Sequence, residues 1–115
     1  MKIYALIDPR TNKIFYVGKT KDMYRRMRWH MSDARVNSNE PLGSEMAIYL
    51  HRLVKSGLYP VIEILEEVDE LVVNRIEWEW ALTLKLLGHP ITNRLTHMVK
   101  GTAEYTKQQL MNVAA

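Results

Sequence analysis

Three arginines crowd one short stretch, Arg25, Arg26 and Arg28, with Lys19 and Lys21 just before them and His30 just after. A guanidinium fork matches phosphate oxygens two at a time, so a stretch of this kind is suited to holding phosphate. Residues 1–36 carry nine Lys/Arg against three acids, residues 37–80 three against nine, and residues 81–115 four against one. A basic N-terminal third is the pattern expected of a nucleic-acid-binding face, although an unevenly charged surface of no special purpose gives the same counts. Glu77 and Glu79 stand close together on a later helical stretch, and either carboxylate has the oxygen chemistry that a hard divalent cation prefers.

Other chemistries fail on spacing. Gly18-Lys19-Thr20 resembles the end of a phosphate-binding loop, but that loop needs a glycine where Lys13 stands. The four histidines, His30, His51, His89 and His97, are too scattered for a helical zinc pair, and the absence of cysteine excludes disulfides and thiolate sites. No apolar run approaches the ~20 residues of a membrane span, and Met1-Lys2-Ile3-Tyr4 has no signal-peptide layout, so no membrane association is expected. The lack of cysteine agrees with a cytoplasmic location.

These groups must be positioned by elements. Residues 3–8 and 13–17, rich in β-branched and aromatic side chains, read as two strands joined by the turn Pro9-Arg10-Thr11-Asn12 into a hairpin ending at Gly18. A helix over 22–34, capped by Asp22, aligns Met23, Met27, His30, Met31 and Ala34 on one side. A polar loop, Asn37 to Pro41, leads to a second helix over 44–55, capped by Ser44 and closed by Gly57. Residues 61–68 alternate as a third strand. A third helix over 69–87 has Asp69 as its cap and Gly88 with Pro90 as its stop, and its apolar stripe reads Val73, Ile76, Trp80, Leu84 and Leu87. Glu77 lies roughly 60° from the centre of that stripe and Glu79 roughly 100° away on the other flank, which favours Glu77 for reaching the sheet edge. Trp78 falls far from the stripe, so it is expected either exposed or covered by the tail. The order is ββααβα plus a C-terminal tail. It implies an α/β or α+β domain around a small three-stranded sheet, mixed or antiparallel.

Ile3-Tyr4 on the first strand and Tyr16-Val17-Gly18 on the second resemble the two signature strands of the GIY-YIG nuclease superfamily. The likeness continues through Lys19-Thr20, Arg26, His30, Glu77 with Trp80, and then Gly88, Pro90 and Asn93. It covers roughly residues 2–96, with one departure, Lys2 where the family usually has glycine. The resemblance implies a metal-dependent endonuclease acting on DNA, with Tyr4, Tyr16, Arg26 and His30 as catalytic residues and Glu77 holding Mg²⁺ or Mn²⁺. Lys19, Arg25, Arg28 and Asn93 would contact phosphate or DNA. Tyr16 is the implied general base or water-positioning group. A free tyrosine titrates near ~10, so that role at neutral pH requires positive charge close by, from Lys19, Arg26, His30 or the metal.

Each residue also has a plainer reading. Tyr4 and Tyr16 could be strand aromatics packing across the hairpin, Arg26 a solvated helix charge, His30 a core histidine, and Asn93 a turn residue bonding only to backbone. A catalytically inactive nucleic-acid-binding or partner-binding module of the same fold is the alternative function. Residues 1–96 are expected to form the nuclease-like domain and 97–115 a tail or short helix packing on it. Family members often carry a separate DNA-recognition domain, and 115 residues leave no room for one, so either sequence preference is low or a partner protein supplies targeting. Branched DNA and RNA stay open as substrates, as does the oligomeric state.

Overall fold

The computed structural model describes residues 1–36 and 44–95. Six elements follow in the order β1 (Lys2–Asp8), β2 (Lys13–Thr20), α1 (Met23–Val36), α2 (Glu45–Lys55), β3 (Val61–Glu67) and α3 (Val73–Leu86). The sheet order is β2-β1-β3 and both pairings are antiparallel, which resolves the sheet as antiparallel rather than mixed. The fold is therefore α+β, with the expected ββααβα order.

β1 is the central strand, and its alternation builds two cores. Tyr4 and Leu6 join Phe15, Met46, Leu50 and Leu53 under α1 and α2. Ile3 joins Val17, Val73, Ala81, Leu84 and Ile91 under α3. With helices on both faces, β1 is buried from Ile3 to Asp8, which is why its sequence is almost continuously apolar. β3 is an edge strand and mostly exposed, with Val61 and Ile64 half in solvent. Its register against β1 shifts between Ile3 and Tyr4, so its expected clean alternation is lost.

The hairpin turns at Asn12, whose φ of 58° is the left-handed geometry asparagine tolerates. Its base is held by Asp8, which is fully buried and accepts from the Arg10 guanidinium at 2.8 and 3.1 Å and from the Tyr49 hydroxyl at 2.5 Å. β2 runs two residues beyond Gly18, to Thr20, so Lys19 is a strand residue.

The capping expectations hold for two helices and fail for the third. Asp22 accepts from the Arg25 N–H at 3.1 Å, and Ser44 from the Ala47 N–H at 3.2 Å. Gly57 and Gly88 take φ of 80° and 94° past the ends of α2 and α3. Asp69, however, accepts from Leu71 in a preceding turn, and α3 starts only at Val73 without a side-chain cap. Its buried line also differs from the apolar stripe. Val73, Glu77, Trp78, Ala81 and Leu84 are buried, Ile76 and Trp80 are half-buried, and Leu87 is exposed. Glu77 thus lies in the middle of the packed face. Trp78 is buried and donates its indole N–H to the Leu95 carbonyl at 2.8 Å. The expected loop at 37–41 and the tail at 97–115 fall outside the described residues.

Candidate active site

The site grows from the end of the hairpin nearest α1. Tyr4 on β1 pairs with Gly18 on β2, so both lie on the α1 face of the sheet. There Tyr4 is buried, and its hydroxyl meets His30 Nε2 of α1 at 2.7 Å. Tyr16, also on this face, closes an aromatic triad, with ring centroids 6.2 Å from Tyr4 and 5.9 Å from His30. Gly18 has a steric purpose here. A Cβ built on it would stand 2.7 Å from Tyr4 Cε1 and closer still to the ring's hydroxyl end, so only glycine leaves room for this tyrosine.

Charge reaches the triad from both flanks. Arg26, half-buried on α1, acts on Tyr4, Tyr16, His30 and Glu77. Glu77 comes from α3 on the other side of the sheet and is felt by both tyrosines. Lys19, at the end of β2, acts on Glu77 and donates to the Asn74 side-chain oxygen of α3. Of the residues expected in the site, Tyr4, Tyr16 and His30 are therefore in contact, and Arg26, Glu77 and Lys19 lie within electrostatic reach around them. Glu79 does not join them; it is exposed and pairs with Arg75 one turn earlier.

Burial dominates the titration of Tyr4, Tyr16, His30 and Glu77. It pushes the Glu77 carboxyl up to about 7, against the downward pull of Lys19 and Arg26. It holds His30 down at about 4, helped by Arg26, so the imidazole is neutral at pH 7 and brings no positive charge. Burial raises both tyrosines, with Tyr16 and Glu77 adding to the shift of Tyr4, and Glu77 to that of Tyr16. Arg26 opposes in both cases. Of the three side chains expected to lower Tyr16, only Arg26 does so, and the net shift is upward.

The His30 ring has a further constraint. Its Nδ1 is buried with no hydrogen-bond partner among the described residues. A proton on Nε2 leaves Nδ1 a bare acceptor, which costs less than a stranded N–H donor. In that tautomer His30 donates to Tyr4, and the tyrosine's own proton is free to point elsewhere.

The remaining candidates spread outward. Arg25 and Arg28 are exposed on α1, Arg28 over the Tyr24 ring with its guanidinium carbon 5.9 Å from the centroid. Asn93, expected on phosphate, instead clips the outer edge of β2. Its side-chain oxygen accepts from Val17 N–H at 3.0 Å and its amide donates to Val17 O at 2.7 Å. His89 and Thr92 hold Ile14 and Phe15 of the same strand. Asn93→Ala is expected to cost about 1–2 kcal/mol in chemical denaturation, as two backbone bonds are exchanged for water. A residue of this kind should also leave the salt slope of DNA binding unaltered, whereas a phosphate contact would lower it by about one.

One neighbour escaped the sequence reading. Trp29 sits beside Arg26 on the outer face of α1, with the Arg26 guanidinium carbon 5.4 Å from its ring centroid. Its position four residues after Arg25 and three after Arg26, on one helix face, was the available signal.

Glu77 is the one site residue with the chemistry of a hard-cation ligand. It is 8% exposed, and burial and the flanking cations, rather than any hydrogen bond, set its titration. Among the described residues no group of three or more His, Cys, Asp or Glu side chains converges. A single carboxylate fits Mg²⁺ or Mn²⁺ where water and phosphate oxygens complete the shell, and it does not fit an all-protein cage.

A family model described as the GIY-YIG catalytic domain matches residues 1–85. No curated protein and no solved structure matches the chain.

Proposed function

The chain belongs to the GIY-YIG catalytic-domain family, and from that premise we propose that it is an endonuclease that hydrolyses DNA phosphodiester bonds with one divalent cation. The observation that carries this reading is a buried carboxylate, Glu77 of α3, within electrostatic reach of Tyr4, Tyr16 and Arg26, beside the Tyr4–Tyr16–His30 cluster. Such a cluster strands a carboxylate in a buried, aromatic setting, which is costly for stability and has no packing benefit.

In this reading Arg26 binds a non-bridging phosphate oxygen and neutralises charge that builds in the transition state. Tyr16 positions the attacking water in line with the leaving oxygen and takes its proton as the bond forms. Its raised pKa means that Arg26 alone does not ready it for this at neutral pH. When bound, Mg²⁺ or Mn²⁺ would supply the missing positive charge on the phosphate and the leaving oxygen. Tyr4 is held by His30 and orients Tyr16 across the ring contact. Lys19, Arg25 and Arg28 place the DNA backbone around this centre without reading bases.

The test is nicking of supercoiled plasmid by wild type and Tyr16→Phe, with Mg²⁺, with Mn²⁺ and with chelator. Cleavage should require the metal and fall at least a hundredfold in Tyr16→Phe, a range set by loss of a positioned proton acceptor. Metal-dependent DNA binding without any nicking by wild type would make the chain an inactive binding module instead.

A further inference from the structure

We propose that Trp29 is a stacking platform for an unpaired nucleotide beside the cleaved phosphate, so that the preferred substrate is DNA with a single-stranded segment at the cut. This rests on the reading of the site as a DNA nuclease and adds the class of DNA.

Four observations carry it. Trp29 is 53% exposed although it is among the largest apolar side chains in the protein, and α1 packs without it. It lines a cavity of about 330 Å³ with Thr20, Lys21, Asp22, Arg25 and Arg26, at the lower end of the size that holds a small ligand. The cavity carries cations: Arg25 is exposed and Arg26 lines it, the Asp22 carboxylate is turned to cap the helix at Arg25 N–H, and Lys21, also exposed, is paired with Glu70. Finally, the indole meets His30 edge-on at 5.2 Å, and His30 bonds to Tyr4, so the platform adjoins the catalytic aromatics directly.

The geometry selects an unpaired base over a duplex. Within a duplex each base face is covered by its stacked neighbours, so an indole finds no π-face to cover. A base in a single-stranded segment offers both faces, and aromatic stacking of this kind is indifferent to base identity. Arg26 over the ring supplies a second benefit. It fixes the indole plane and links occupancy of the cavity to the guanidinium that binds the scissile phosphate. Arg25 then follows the backbone of the unpaired nucleotide.

The test measures binding in chelator, so that no cleavage intervenes. A DNA duplex with a short single-stranded overhang carries 2-aminopurine at the first unpaired position, and a blunt duplex of the same sequence is the reference. Full-length wild type, Trp29→Phe and Trp29→Ala are compared, with thermal melts to establish that each folds. Wild type should change the 2-aminopurine emission on binding and prefer the overhang to the blunt duplex. Trp29→Ala should lose the emission change and reduce that preference roughly tenfold, while Trp29→Phe retains most of both. An emission change that survives in Trp29→Ala, or affinities for the two DNAs that fall together, would overturn the inference. So would the absence of any emission change in wild type, whatever the plasmid assay gives. Conversely, stacking that behaves as expected in a protein that never nicks DNA would leave this inference standing and reject the nuclease reading.

Discussion

Glu77→Gln is expected to lower DNA cleavage roughly a thousandfold, the scale on which a transition-state charge stabiliser is missed, and at the same time to make the protein more stable at neutral pH. The two effects have one cause. An ionised carboxylate in the middle of the packed face of α3 is unfavourable, which is why its proton is held up to about 7 from an ordinary 4.5. The folded state binds the Glu77 proton more tightly than the unfolded chain, so this group removes stability as pH rises from 4.5 to about 7, and the loss is complete above that. His30 works in the opposite sense. Its folded value of about 4 lies below the ordinary 6.5, so it adds stability as pH rises through the same range. In chelator the wild type should therefore show a nearly flat stability profile between pH 4.5 and 6.5. The Glu77→Gln profile should climb across it and exceed wild type above pH 7 by up to roughly 3 kcal/mol. Denaturant titrations at several pH values check this. A variant less stable than wild type at pH 8 would show that Glu77 is a structural partner instead.

The second large effect is expected from Gly18→Ala. Gly18 is not at a positive φ, so the substitution does not strain the backbone itself. The conflict lies in the space above it, which the Tyr4 ring fills. Tyr4 is 1% exposed and is packed by Leu6, Phe15 and the helices above, so it has little room to retreat. Overpacking of this kind costs about 1–3 kcal/mol. Any retreat also carries the hydroxyl away from His30 Nε2, and a displacement on the order of 1 Å is enough to lower cleavage about a hundredfold. Melting curves and nicking rates of Gly18→Ala should both fall. Full activity with an unchanged melt would mean that the ring is not fixed by the close approach of β2.

Much of this was legible from residue types. The hairpin, the left-handed Asn12, the caps at Asp22 and Ser44 and the glycines past α2 and α3 follow from local backbone chemistry, which acts over a few residues. Glu77 is buried and Glu79 exposed, yet for a different reason from the one the helical wheel offered. A wheel weights apolar residues and so centres the stripe near Trp80 and Leu87. The packed face centres on Glu77, since α3 presents Val73, Ala81 and Leu84 to the sheet and leaves Leu87 in solvent. A carboxylate on a buried face breaks the pattern from which burial is inferred, and functional sites are where such breaks are expected.

Asn93 illustrates the converse. Its side chain completes the outer hydrogen bonds of an edge strand 76 residues away in sequence, a contact that no local rule could supply. The start of α3 went astray likewise, because Asp69 can close a turn as readily as cap a helix, and only the tertiary packing of Val73 decides which.

Glu77 of α3 is the carboxylate on which the proposed DNA cleavage depends. That dependence is tested most directly by the single-turnover nicking rate of supercoiled plasmid in Mg²⁺ for wild type, Glu77→Gln and Glu79→Gln. Glu77→Gln is expected to fall by about three orders of magnitude while remaining folded, and exposed Glu79→Gln to stay within a few-fold of wild type. Equal rates in all three, or a loss confined to Glu79→Gln, would contradict it.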